Sequence, residues 1–353
     1  MDQNMSLPFL MDGGNVFCKV VFAQNELMFP HALAELTREQ WDYAVDSFGA
    51  AAAEDFVRLG NKFYVVGDTA SNYQFTRLMG RPKYTRDYYG VLFASAIGRV
   101  FEHPKLLEQG LTVHASHPTD DFEFRKELTK SIKGEWKFEA GGKAYEFTVT
   151  TVKTYEESFG GYLRRATHWD GQKWTTPLRG YDFGTIDLGG GTCGVLAVDK
   201  RGFKQTAMSK SGTQGVQGAI DRLRQSLQRK YSGKFARTTS IPEDRLRSAL
   251  QTGVFNGFGE SLDCAREAEL AVNPLLNEVK TLWQRYLGAG VGLDGIVLTG
   301  GGNGFLYERV METIERDAST GVILADSVDD IQFANVRGAR DFADFVDAVG
   351  LPL

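Results

Sequence analysis

The sequence predicts an α/β chain built as two copies of one unit, and three observations carry that reading. A strand–glycine turn–strand pattern occurs twice, around Asp12 and around Asp187, half a chain apart. An apolar strand, GIVLT at 295–299, runs directly into Gly300-Gly301-Gly302 and a helical stretch. Between these points strands alternate with amphipathic helical stretches, as in folds whose helices cover a sheet. A ligand cleft between two similar lobes is the expected consequence of such a duplication.

Each element follows in order. Residues 7–29 read as the strand LPFLM, the turn DGGN, and the strands VFCKVVF and ELMF; valine and phenylalanine flank glycines at the turn. Residues 30–82 are mixed, with a short strand at KFYVVG and a basic tail RLMGRPK, and are expected to form an inserted subdomain. From Tyr84 to Phe101 apolar residues recur at helical spacing, so Tyr88, Tyr89 and Phe93 are helix-packing aromatics. LTVHAS at 111–116 predicts a buried strand, followed by a polar helix capped by Thr119 or Asp120. WKFEA and KAYEFTVTTVKTY around Gly141-Gly142 predict a hairpin, with a helix after Glu157. The pattern then restarts with DFGTIDLGGGTCGVLAVD at 182–199. A long helix from about Thr213 to Tyr231, helices across 242–287, the strand at 295–300, the helix FLYERVMETIER, the strand VILA and a helix from Asn335 complete it.

Composition narrows the function classes. The chain has 353 residues, enough for two sizeable cores. Its formal charge of -5 and pI near 5.7 argue against extensive nucleic-acid binding, which needs clustered Lys and Arg. Three widely spaced cysteines, Cys18, Cys193 and Cys264, suit neither a disulfide framework nor a zinc site. His103, His114, His117 and His168 lack metal-ligand spacing. The N-terminus has no basic n-region, and no segment approaches the roughly 18–20 apolar residues of a membrane span. A cytoplasmic protein that binds no membrane is expected.

The chemistry concentrates in the glycine loops. In the first, Asp12-Gly13-Gly14-Asn15, glycines let backbone N–H groups approach phosphate oxygens, and Lys19 adds a cation from the next strand. An aspartate beside a phosphate calls for Mg²⁺ between them, held through water. Taken alone, Asp-Gly and Gly-Asn are equally the dipeptides of a plain type I′ hairpin. The second loop, Asp187-Leu188-Gly189-Gly190-Gly191-Thr192, places three glycines between apolar strands. Glycine is costly to order and weakens a strand, so this points to backbone contact with a ligand, with the Thr192 hydroxyl nearby. Gly300, Gly301 and Gly302 end a strand and open a helix, where α/β folds place nucleotides. No Gly-Lys-Ser/Thr follows, so they suit a base or ribose contact better than a phosphate cradle.

DxGxxxxK, DLGGGT and LTGGG, in this order, resemble the phosphate-1, phosphate-2 and adenosine motifs of the actin/Hsp70/sugar-kinase superfamily. Within it the chain resembles the prokaryotic actin-like ATPases of the plasmid-segregation (ParM/StbA) type and related archaeal and phage proteins. Val66-Gly67-Asp68 and the stretch Phe333-Ala334-Asn335-Val336-Arg337-Gly338 add to the likeness. The resemblance implies an actin-like fold of two RNase H-like lobes, with mixed sheets around a central nucleotide cleft. Lobe I would span 1–181 plus 334–353, with the insert at about 30–82, and lobe II 182–333. It implies ATP and Mg²⁺ as cofactors, with Asp12 and Asp187 holding the metal through water, and head-to-tail self-assembly into filaments. A DNA-bound adaptor is a possible partner of such proteins. The hydrolytic residue is expected at Glu157, with Glu156 as the alternative; both also suit the positive N-terminal end of a helix. The pattern departs from the family at Gly194, where many relatives carry a larger residue, and at the missing proline near Glu157.

A nucleotide-hydrolysing, filament-forming protein for plasmid segregation or another cytoskeletal role is the leading expectation. A small-molecule kinase of the same superfamily is the alternative, with Asp120 or Asp121 as its candidate base. A peptide-binding chaperone would need a further domain, and a membrane-tethered actin homologue a terminal amphipathic anchor.

Overall fold

Two sheets that share one five-strand order organise the chain in a computed structural model, which describes residues 8–48, 54–79, 81–119, 122–170, 172–235, 241–257, 259–315, 323–325 and 331–349. The chain divides into two compact units, Met1–Pro177 with Asn335–Leu353, and Leu178–Ala334.

The first unit begins with β1 (Phe9–Gly13), β2 (Phe17–Phe22) and β3 (Asn25–Pro30), an antiparallel meander, then β4 (Leu33–Leu36) and α1 (Arg38–Phe48). β5 (Phe56–Leu59) and β6 (Lys62–Val66) precede α2 (Tyr89–Val100), β7 (Leu111–His117) and α3 (Phe122–Ile132). β8 (Gly134–Ala140) and β9 (Lys143–Glu156) form the hairpin, α4 (Glu157–Ala166) follows, and β10 (His168–Trp169) pairs with β11 (Trp174–Thr175). Nine strands share one sheet in the order β3-β2-β1-β7-β9-β8-β5-β6-β4. β1, β7 and β9 run parallel at its centre, so Met11 faces Ala115 and His117 faces Glu156.

The segment expected as an inserted subdomain adds strands to this sheet. β5 pairs with β8, and β4 and β6 continue outward over a small core of Ala34, Leu36, Ala44, Phe56, Val65 and Ala70. The helix expected from Tyr84 starts at Tyr89, after a 3₁₀ turn at Arg81–Lys83. α2 is apolar on every side because it is enclosed: Tyr89 to Ile97 are all buried. Phe93 contacts Phe9 edge-on at 5.7 Å and Trp136 at 5.0 Å, a geometry that adds to the burial of the rings. α3 begins at Phe122, and Thr119, one of the two expected caps, gives its hydroxyl to Ser158 Oγ at 2.8 Å. Asp120, the other expected cap, lies outside the described residues.

The second unit repeats the opening. β12 (Phe183–Leu188), β13 (Cys193–Val198) and β14 (Lys210–Ser211) form an antiparallel meander, followed by α5 (Val216–Lys230), α6 (Ser232–Phe235) and α7 (Glu243–Thr252). The hairpin β15 (Val254–Gly257) and β16 (Glu260–Asp263) leads into α8 (Ala265–Tyr286), β17 (Gly295–Thr299), α9 (Gly301–Glu315) and β18 (Ile323–Ala325). The sheet order is β14-β13-β12-β17-β18, with β12, β17 and β18 parallel. This matches β3-β2-β1-β7-β9 strand for strand, the RNase H-like order. Ile186, Leu188, Val195 and Leu298 pack beneath α5, α7 and α8 through Ile220, Leu246, Leu275 and Trp283. α10 (Ala334–Val349) returns to the first unit.

Candidate functional site

Asp12 and Asp187 hold equivalent places, each the penultimate residue of the first strand of its sheet, β1 or β12. Both are buried at the C-terminal ends of parallel strands, the end where open α/β sheets bind ligands. Across the hairpin Asp12 faces Lys19, whereas Asp187 faces Gly194. The glycine that departs from the family pattern therefore occupies the position that carries the cation in the first copy.

In the first unit the neighbouring strands hold the Asp12 carboxylate. Lys19 Nζ lies 3.2 Å from Oδ2, and Ser116 of β7 donates to Oδ1 at 2.7 Å. The lysine expected to serve phosphates thus rests on the aspartate. Strand register places Asp12 level with Ser116 and Tyr155, and Glu157 opens α4 two residues past Tyr155. The bond from Thr119 to Ser158 ties the end of β7 to this first turn of α4.

Behind the Asp12 loop lie two residues absent from the sequence-based site. Lys83 is buried, and its Nζ donates to the Gly13 carbonyl at 2.6 Å and to Asn15 Oδ1 at 3.2 Å. Burial lowers its pKa, while Glu157, Asp12 and Cys18 act to raise it. His31 is also buried, with Nδ1 2.5 Å from the Gly14 carbonyl. A carbonyl only accepts, so that nitrogen carries the proton. Burial, reinforced by the Lys83 charge, pushes the His31 pKa down to about 3, so the ring is neutral. The Tyr89 ring lies against Gly13, where any Cβ would overlap it.

In the second unit backbone groups hold the glycine loop. Gly189 N–H closes the turn onto the Thr192 carbonyl at 2.8 Å. The first N–H groups of α5, Val216 and Gln217, donate to the carbonyls of Gly189 (3.2 Å) and Gly190 (2.8 Å). A helix N-terminus leaves such donors without intrahelical partners, and here the loop takes them. At Gly215 a Cβ would overlap Gly190 and Gly191, so the helix can approach only as glycine. Glu278 of α8 fixes the segment before α5, accepting from the N–H groups of Thr213 (2.9 Å) and Gln214 (2.5 Å).

Gly300, Gly301 and Gly302 follow β17 and open α9. Gly300 has φ +85°, and a Cβ there would overlap the Asp187 carboxylate. At Gly302 a Cβ would come within 2.5 Å of the Leu188 carbonyl. These two glycines bring the third motif against Asp187 and the phosphate-2 strand. Asn303 secures the approach: its buried amide donates to the Ile186 carbonyl at 2.9 Å and to the Thr299 carbonyl.

Among the described residues no cluster of His, Cys, Asp and Glu has metal-binding geometry, and no helix is long and apolar enough to cross a membrane. His114 and His117 are buried packing residues. Asp120 and Asp121, the candidate kinase bases, lie outside the described residues. Lys83 and His31 escaped the sequence reading for one reason: a basic, proline-containing run and a lone histidine after a strand look like solvated surface. Asn303, the residue after a glycine triplet that opens a helix, was the one with a signal.

Comparison with known proteins follows the same lines. Residues 11–160 match the family described as actin like proteins N terminal domain. A search of curated proteins returned no match. Among solved structures, the archaeal actin homolog Ta0583 superposes with a TM-score of 0.74 at 17% identity, covering 96% of this chain and 99% of that one. The same homolog in complex with ADP gives 0.69 at 17% identity, again over 96% and 99%. A 15-stranded ParM filament from Clostridium botulinum gives 0.71 at 14% identity over 96% and 99%.

Proposed function

We propose that this chain, which has the fold of the prokaryotic actin-like proteins and matches their N-terminal domain over residues 11–160, binds ATP with Mg²⁺, hydrolyses it and assembles head to tail into nucleotide-dependent filaments. The observation that carries the reading is the equivalence of Asp12 and Asp187, each beside a glycine loop at the C-terminal end of its first strand. Two buried carboxylates of this kind suit Mg²⁺ held through water, which would neutralise charge between them and the phosphates.

The residues divide the work. Backbone N–H groups of Gly13–Asn15 and Gly189–Thr192 take phosphate oxygens, with the Thr192 hydroxyl beside them. Lys19, one strand from Asp12, supplies a cation. Gly300, Gly301 and Gly302 let the nucleoside approach without a Cβ in the way. Glu157, at the first turn of α4, orients the water that attacks the γ-phosphorus and accepts its proton, Glu156 being the alternative. The ADP complex of one structural relative and the filament of another support nucleotide use and assembly. The role follows from these in a cytoplasmic setting: segregation of plasmid DNA through an adaptor, or another cytoskeletal task.

Pelleting and light scattering with ATP and Mg²⁺, with ADP, and without nucleotide test assembly; no assembly under any condition at high protein concentration rejects the filament. Glu157→Ala should still bind ATP yet release phosphate about a hundredfold more slowly. Unchanged phosphate release would reject Glu157 as the hydrolytic residue.

A further inference from the structure

The duplicated loops solve one problem with different parts. In the second unit the carbonyls of Gly189 and Gly190 are held from behind by two N–H groups of α5. In the first unit, among the described residues, no helix start takes this place at Gly13 and Gly14. Their carbonyls are taken by Lys83 Nζ and His31 Nδ1, from side chains 1% and 0% exposed. In a trans peptide the C=O and the following N–H point to opposite sides. Holding the Gly13 and Gly14 carbonyls to the rear therefore turns the N–H groups of Gly14 and Asn15 to the front.

The geometry points to Lys83 and His31 as positioning residues that orient the phosphate-1 loop for the phosphates of a bound nucleotide, as the α5 N-terminus does for the phosphate-2 loop. The inference rests on the nucleotide-binding reading and assigns the two residues no contact with the nucleotide. Three features support it independently. Lys83 is an ammonium enclosed by protein, an expensive arrangement that persists only with well-placed acceptors, and it donates to Gly13 and Asn15, both of the loop. Among the described residues His31 Nε2 is buried without a hydrogen-bond partner, so the ring gives up half its capacity to keep Nδ1 on the loop. Tyr88 packs against the His31 ring at 5.4 Å and donates its hydroxyl to the Thr76 carbonyl, fixing the ring from the α2 side. The loop is thus built into the core of its unit, and its peptide planes are set before any ligand arrives.

The test uses the full chain and calorimetric titration with two probes, ATP with Mg²⁺ and adenosine at high concentration. Lys83→Met keeps the length and removes the charge and donors. His31→Leu removes the donor, and His31→Gln offers an amide that can donate to the same carbonyl. Loss of the brace should weaken ATP binding about tenfold or more in Lys83→Met and His31→Leu, since a buried polar group loses its partner in each. Adenosine, which has no phosphate, should bind these variants as it binds the parent, and His31→Gln should recover most of the ATP affinity. Variants that fold and bind ATP as the parent does overturn the inference. So does an equal loss for ATP and adenosine, which a merely structural role would produce. If Lys83→Met does not fold, the two His31 variants decide, and equal ATP affinities for them overturn the brace. A parent chain that binds no ATP overturns the functional reading and this inference together; a parent that binds, with unchanged variants, removes the brace alone.

Discussion

Single residues in this chain are legible from sequence where chemistry repeats, and hidden where it depends on burial. Asp12, Asp187 and the glycines beside them stand out because the pattern occurs twice. Lys83 and His31 belong to no repeated pattern, and their roles arise from the carbonyls of the Asp12 loop, elsewhere in the chain. Burial of His31 also makes a pH prediction. Its folded pKa, about 3, lies below the ordinary value of 6.5, so the unfolded chain binds a proton first as pH falls. The stabilisation is complete above 6.5 and declines through the window down to about 3. His114, pushed down to about 4 by burial and Lys153, acts in the same direction. By linkage each should remove about 2 kcal/mol at pH 5 relative to pH 7. Denaturant midpoints measured at the two values, in the parent and in His31→Gln, check this. A loss of the same size in His31→Gln would show that His31 contributes none of it.

Among elements, the sequence showed which segments are strands and helices but not how tightly they cross. The stretch from Phe333 to Gly338 contributed to the family resemblance with no physical reason attached. The structure supplies one: α10 crosses α4 at glycine on both sides. A Cβ on Gly338 would overlap the Gly160 carbonyl, and one on Gly160 would overlap the backbone of Asn335. Arg164 and Asp341 then pair at 2.5 Å along the same crossing. Gly338→Ala should destabilise the protein by about 1–3 kcal/mol through overpacking, visible as a lowered melting temperature. Gly233→Ala, also in a helix but with open space around it, is the control and should leave stability equal or slightly higher. Equal effects for the two would mean the crossing tolerates separation. The segment 30–82 illustrates the converse limit. Its strand at KFYVVG was visible, yet the pairing of β5 with β8, more than seventy residues onward, has no local signature.

At the scale of the whole molecule, the duplication leads to a stoichiometry. If both glycine loops serve one nucleotide, the chain binds one ATP, and either Asp12→Ala or Asp187→Ala should remove most of the thermal stabilisation that ATP with Mg²⁺ confers. That stabilisation is about 2.7 kcal/mol at a hundredfold excess over Kd. Two nucleotides per chain, with each substitution removing one, would show that the loops work separately.

The edges of the two sheets bear on how such a chain can join others. The first sheet ends at β3, which closes on Pro30 and whose Glu26 pairs with Arg337 of α10, and at the four-residue β4. Among the described residues the second ends at the two-residue β14 and at β18. Short, charged or proline-ended borders offer little backbone for a neighbouring strand to add to. Ordered polymers of this protein should therefore form through side-chain surfaces of folded subunits. They should give no cross-β diffraction and no thioflavin fluorescence, and should dissolve on dilution into intact, native monomers.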